Sequence, residues 1–175
     1  MFDGHRVIVC IPSGRYRYMK VLLPYLLAPR NSVVDEIRLW VNTDVESDLQ
    51  YFERLELDYP RIKRVHAGGS LNKALYDAQR NHYQYNDSIY RYYSNCTDDD
   101  AIYVKIDDDI CYVHDEFFKN LLPSVLQHEQ DSLACVGNVF NIPYVSKVLQ
   151  DSGVLEDKLG HSTGDPRCPW AVSYT

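Results

Sequence analysis

Asp107, Asp108 and Asp109 stand in a row between two apolar runs, in "YVKIDDDICYV" at residues 103–113. Carboxylates repel one another and resist burial. Such a row either lies at an exposed strand end or is held together by something positive. Side chains alternate along a strand. In a regular strand Tyr103, Lys105, Asp107 and Asp109 share one face, and Ile102, Val104, Ile106 and Asp108 share the other. The i, i+2 spacing therefore brings Asp107 and Asp109 to the same side. Two such carboxylates can hold a hard divalent cation such as Mn²⁺ or Mg²⁺, with positions left for water and phosphate oxygens. The plain alternative is a solvated acidic turn. The chain has one in "TDDD", Thr97 to Asp100, which reads as loop and helix-end punctuation. The triplet differs in being flanked by apolar runs on both sides.

Other chemistries fail on their spacing. "DDDICYVHDE" lacks the glycine and the alternating oxygen ligands of an EF-hand. There is no G-x-x-x-x-G-K-[ST], no GxGxxG after the first strand and no G-x-S-x-G elbow. The six histidines are scattered and read as surface or helix-flank residues; only His114 and His161 are of interest, for position alone. The five cysteines, Cys10, Cys96, Cys111, Cys135 and Cys168, form no CxxC pair. They read as small buried thiols in a reducing compartment, so the expected location is cytoplasmic.

A net charge of -7 argues against nonspecific binding to nucleic acid or anionic membranes. A local anion site built from a few cations or a metal is compatible with it. No apolar run approaches the roughly 18 residues of a membrane helix, so no membrane span is expected. The layout "MFDGHRVIVCIPSG" reads into a strand and lacks the pattern of a signal peptide.

The elements that must position the aspartates alternate. "RVIVCIP" is a continuous apolar run, as a buried parallel strand reads. Met19, Leu22, Leu23, Leu26 and Leu27 follow helical spacing, with a kink expected at Pro24. "EIRLWVNT" is a second strand. Ser47 and Gln50 suggest a capping box opening a helix with Leu49, Phe52 and Leu55 inward, closed by Pro60. "RIKRVHA" is a third strand. Ser70 is expected to cap a helix with Leu71, Ala74, Leu75 and Ala78 on one face, followed by a tyrosine-rich helix over residues 86–94. "AIYVKI" is the fourth strand, expected in the middle of the sheet. "DEFFKNLLPSVLQ" is helical with a break at Pro123, and "LACVGNVF" is a fifth strand. The fold class is α/β, a mostly parallel central sheet flanked by helices, in a single domain over residues 1–175. The irregular tail after about residue 150 reads as an active-site flap, or as a fold whose last elements lie beyond the chain. In such a sheet ligands bind beyond the carboxyl ends of the strands. The triplet and the loop from Pro12 to Arg17 should then line one cleft.

An apolar strand ending in Asp-x-Asp after a βαβα half resembles the nucleotide-sugar-dependent glycosyltransferases of GT-A fold, a Rossmann-like architecture. "AIYVKIDDDICYV" matches their DxD element, "VIVCIPSGR" their first strand and the loop beneath the nucleotide, and "GGSLNKALYDAQ" the segment before the DxD strand. The resemblance runs roughly from Arg6 to Asn141. It implies that Asp109 binds Mn²⁺ or Mg²⁺ directly and that Asp107 meets the ribose, or the metal through water. Asp108 is able to substitute for either. Pro12, Ser13, Gly14 and Arg15 would lie at the nucleotide, with Arg15 or Arg17 on a phosphate. Asn42 and Thr43 would touch the base, or else form a turn and helix cap.

The implied reaction moves a sugar from a nucleoside-diphosphate donor to a carbohydrate or other hydroxyl acceptor. A cation would stabilise the charge growing on the departing diphosphate. An inverting reaction also needs a carboxylate to deprotonate the acceptor. Asp165, in "GDPRCPW", is preferred as that base over Asp115 and Glu116, because a loop beyond the sheet can close over an acceptor. Its other reading is a turn-forming residue before Pro166. Trp170 is either a sugar platform or core. Two other classes stay open: a metal-dependent nucleotidyl- or phosphotransferase, and a noncatalytic carbohydrate-binding protein of the same fold.

Overall fold

The computed structural model describes residues 1–66, 91–128, 130–131, 153, 161–162 and 172–173. The chain divides into two compact units, Met1–Pro123 and Ser124–Thr175. The first carries four strands, β1 (Arg6–Ser13), β2 (Glu36–Val41), β3 (Ile62–Val65) and β4 (Ala101–Lys105). They form one sheet in the order β3-β2-β1-β4, and every pairing is parallel. The helices are α1 (Tyr16–Leu27), α2 (Glu46–Asp58) and α3 (Phe117–Gln127). In the second unit β5 (His161–Ser162) and β6 (Val172–Ser173) pair antiparallel.

Burial explains the apolar runs. Val7, Ile8, Val9 and Ile11 of β1 are fully buried, so both faces of this strand are covered. That is how a strand inside a parallel sheet is expected to read. One face is closed by Tyr92, whose ring stacks on Trp40 at 5.0 Å between centroids and 5° between planes. Ile8 and Cys10 belong to the same cluster, with Cys96 and Tyr103 packed against it. The connections from β1 to β2 and from β2 to β3 step in one direction, and right-handed crossovers place α1 and α2 together on the other face. The two helices do touch. Met19, Leu22, Leu23 and Leu26 of α1 and Phe52 and Leu55 of α2 are buried, whereas Leu27 and Leu49 are only half-buried. Pro24 and Pro123 lie inside α1 and α3, which run on through them.

Among the described strands "AIYVKI" stands at one end of the order, and β1 has a strand on either side. The fifth strand expected at "LACVGNVF" lies outside the described residues, as do the helix from Ser70 and residues 86–90 of the tyrosine-rich one. The helical residues 91–93 are described. The capping box fails. α2 starts at Glu46 after Val45, with no side-chain cap, and Ser47 is already inside it. Gln50 donates to Glu46 Oε1 at 2.7 Å instead. The turn is held by Thr43, whose Oγ1 accepts the Val45 N–H at 3.1 Å.

The winding sets up the site. After β3 the chain returns to pair β4 on the far side of β1. Strand order therefore reverses between β1 and β4, and their carboxyl ends flank the reversal.

Candidate functional site

Pro12 and Ser13 still belong to β1, in register with Trp40 and Val41, and both are buried. The Ser13 hydroxyl donates to the Ile11 carbonyl at 2.8 Å. These two residues support the loop from within the sheet. Gly14 is the first to leave it. A Cβ there would stand 2.9 Å from the Asn42 carbonyl oxygen, so the close approach of the β1 and β2 ends requires glycine. The Asn42 N–H donates to the Ser13 carbonyl at 2.8 Å and fixes that approach. Asn42 Oδ1 is shut off from solvent and has no hydrogen-bond partner among the described residues.

The aspartates follow β4 directly. The Ile106 N–H donates to the Cys10 carbonyl at 3.0 Å, and the Ile110 N–H to the Asp107 carbonyl at 3.3 Å, so a turn carries Asp108 and Asp109. The alternation of β4 persists into that turn. Ile102, Val104, Ile106 and Asp108 are all buried, while Asp107 and Asp109 are exposed. Each aspartate has a cation of its own chain. Asp107 pairs with Lys105, its neighbour on the strand face. Asp108 receives Arg15 Nη2 on Oδ1 at 2.5 Å, Arg15 Nε on Oδ2 at 3.2 Å and the Gly14 N–H on Oδ2 at 3.2 Å. Asp109 Oδ2 lies 3.3 Å from Arg15 Nη2. The hydrogen bond to Asp108 raises the Arg15 pKa further above its usual value. Asp108 is thus the carboxylate that joins β4 to the β1 loop. Asp107 and Asp109 each keep one carboxylate oxygen without a hydrogen bond among the described residues. Among those residues no group of three His, Cys, Asp or Glu side chains is placed to hold a metal ion. Two carboxylates completed by water and phosphate oxygens is the donor set that hard cations take.

Arg17 differs from Arg15. It is exposed and has no carboxylate partner among the described residues; its guanidinium lies 4.7 Å from the Tyr18 ring centroid, and Nη2 donates to the Tyr18 hydroxyl at 3.2 Å. Arg15 sits over the same ring, also at 4.7 Å.

Asp48 escaped the sequence reading. It is buried in the first turn of α2, accepts the Tyr16 N–H of α1 on Oδ1 at 3.1 Å, and accepts the Thr43 hydroxyl on Oδ2 at 3.1 Å. One carboxylate thereby serves the amino ends of two helices, where the helix dipoles favour negative charge. Its signal was available: Asp48 shares the i, i+4, i+7 stripe of Phe52 and Leu55.

Of the candidate bases, Asp115 pairs with Arg30 at 2.8 Å. Arg30 follows the carboxyl end of α1, a helix ~18 Å long by its 12 residues, so Asp115 lies toward the opposite end of the sheet from the aspartate turn. Glu116 pairs with Lys119 at 2.6 Å, and that hydrogen bond lowers its pKa. Asp165 and Trp170 lie outside the described residues. Asp98 of "TDDD" pairs with Arg6 at 2.9 Å, at the amino ends of β1 and β4. Cys10 is buried, Cys96 half-buried and Cys111 exposed; Cys135 and Cys168 are outside the described residues. Among the described residues no helix is long and apolar enough to cross a membrane. Comparison of the chain with family models, with curated proteins and with solved structures finds no match in any of the three.

Proposed function

We propose that the protein is a metal-dependent glycosyltransferase of GT-A type, moving a sugar from a nucleoside-diphosphate donor to a hydroxyl acceptor. One observation carries this reading. The Gly14–Arg15 loop and the aspartate turn meet at the carboxyl ends of β1 and β4, on the two sides of the reversal in strand order. Open α/β sheets bind ligands at such reversals. Asp107 and Asp109 would hold Mn²⁺ or Mg²⁺ through hard oxygen donors, and Asp108 acts through Arg15. When bound, the cation supplies charge stabilisation to the departing diphosphate. Arg17, which has no carboxylate partner among the described residues, offers a cation for a phosphate. Gly14 lets the ends of β1 and β2 come together beside the aspartate turn. With Asp115 and Glu116 engaged elsewhere, Asp165 stays the candidate base.

A screen of nucleotide sugars with Mn²⁺, read by nucleotide release, tests the activity. Turnover of nucleoside triphosphates instead indicates a nucleotidyl- or phosphotransferase, and silence indicates a noncatalytic protein. The site itself is tested by thermal unfolding. At 100 times Kd a ligand adds about 2.7 kcal/mol, a rise of roughly 5–10 °C for a chain of this size. Asp109→Asn should abolish the Mn²⁺-dependent shift produced by a nucleoside diphosphate. Asp99→Asn, exposed and at the other end of β4, should keep it. A full shift in Asp109→Asn sinks the reading.

A further inference from the structure

Arg15 bridges two carboxylates of unequal standing. Asp108 is nearly closed to solvent, its side chain 8% exposed, and takes two guanidinium nitrogens and a backbone N–H. Asp109 is 44% exposed and takes one nitrogen at 3.3 Å. Releasing a buried carboxylate leaves an uncompensated charge. Releasing an exposed one costs little, because water and salt replace the partner. The guanidinium is further steadied by the Tyr18 ring beneath it.

We infer that Arg15 is a built-in counter-cation of the aspartate turn, anchored on Asp108 and occupying Asp109 until a diphosphate arrives with the metal. The inference rests on the glycosyltransferase reading above. A divalent cation bound alone at Asp109 would sit beside the guanidinium, and like charges at that range repel. Diphosphate oxygens ligate the cation and accept from arginine, so they balance both charges at once. Metal and diphosphate then improve each other's binding, and the coupling is reciprocal. The device keeps the site from filling with cation when no donor is present.

The test titrates the protein with Mn²⁺ alone, reading free Mn²⁺ by its electron paramagnetic resonance signal. Wild type, Arg15→Gln and Arg15→Lys are compared, with folding checked by thermal melting. Arg15→Gln should bind Mn²⁺ about tenfold more tightly than wild type, the worth of removing one charge roughly 6 Å from a divalent ion in water. Arg15→Lys keeps Asp108 paired, but a single ammonium cannot bridge both carboxylates. It should tighten Mn²⁺ binding by less, and it decides the matter if Arg15→Gln does not fold. Equal Mn²⁺ affinity in wild type and the folded variants overturns the inference. If wild type still shows the Mn²⁺-dependent nucleoside diphosphate shift, the proposed function survives that result. No Mn²⁺ binding by any of the proteins, with or without nucleoside diphosphate, overturns both.

Discussion

Gly14 is the residue on which the loop geometry turns. Its missing side chain lets the Asn42 carbonyl and the Asp108 carboxylate approach the same backbone from two strands. Gly14→Ala should therefore cost about 1–3 kcal/mol, the usual cost of forcing a methyl group into filled space. Urea unfolding checks it, and an unchanged midpoint would show that the β2 end yields easily. The burial of Asp108 was legible in the sequence, because it continues the parity of Ile102, Val104 and Ile106. Its partner was not legible. Arg15 lies 93 positions away, and no local pattern joins them. Arg15 and Arg17 looked equivalent in "GRYRY"; only the three-dimensional pairing separates a committed guanidinium from an open one.

Among the elements, α2 and β3 are tied by Glu56 and Arg64. The Arg64 N–H donates to Glu56 Oε1 at 3.0 Å, and its Nε to Oε2 at 2.8 Å. The backbone N–H, then the guanidinium, hold the Glu56 carboxyl below the usual carboxylate range. A depressed folded-state pKa contributes stability above the unfolded pKa of ~4.3 and loses it as pH falls through the folded value. Glu56→Gln should thus be less stable than wild type near pH 7, with the difference shrinking below about pH 4. Urea midpoints between pH 7 and 3 measure this, and a constant difference across that range would refute it. Helix and strand identities in this half were readable from period alone: β1, α1, β2, α2 and β3 fall where the apolar spacing put them. The start of α2 was misread because the hydroxyl that holds this turn belongs to Thr43, three residues before Glu46, and accepts the Val45 N–H. Side chains that bond across a turn compete with the capping pattern, and the sequence shows only that both are present.

Across the whole molecule, the segment entering β4 is pinned by Tyr92. Its ring stacks on Trp40 of β2, and its buried hydroxyl donates to the Val41 carbonyl. Tyr92→Phe keeps the stack and removes the hydrogen bond, so a loss of about 1 kcal/mol is expected in chemical unfolding. A neutral result would mean that the Val41 carbonyl finds another donor. The α/β class followed from alternation, whereas the reversal in strand order had no counterpart in local pattern. The reversal also governs the order in which the chain assembles. The Arg6–Glu36 contact between β1 and β2 closes a span of 30 residues, while the Arg6–Asp98 contact beside β4 closes one of 92. Loop-closure entropy makes the longer span dearer by about 1 kcal/mol. On that ground the β1–β2–β3 ribbon is expected to form first in refolding and β4 to dock onto it afterwards. Arg15 and Asp108 face each other across that seam. The anion and cation contacts of the site are therefore expected to form only with that last pairing, so that a chain holding most of its native strands would not yet be competent to bind.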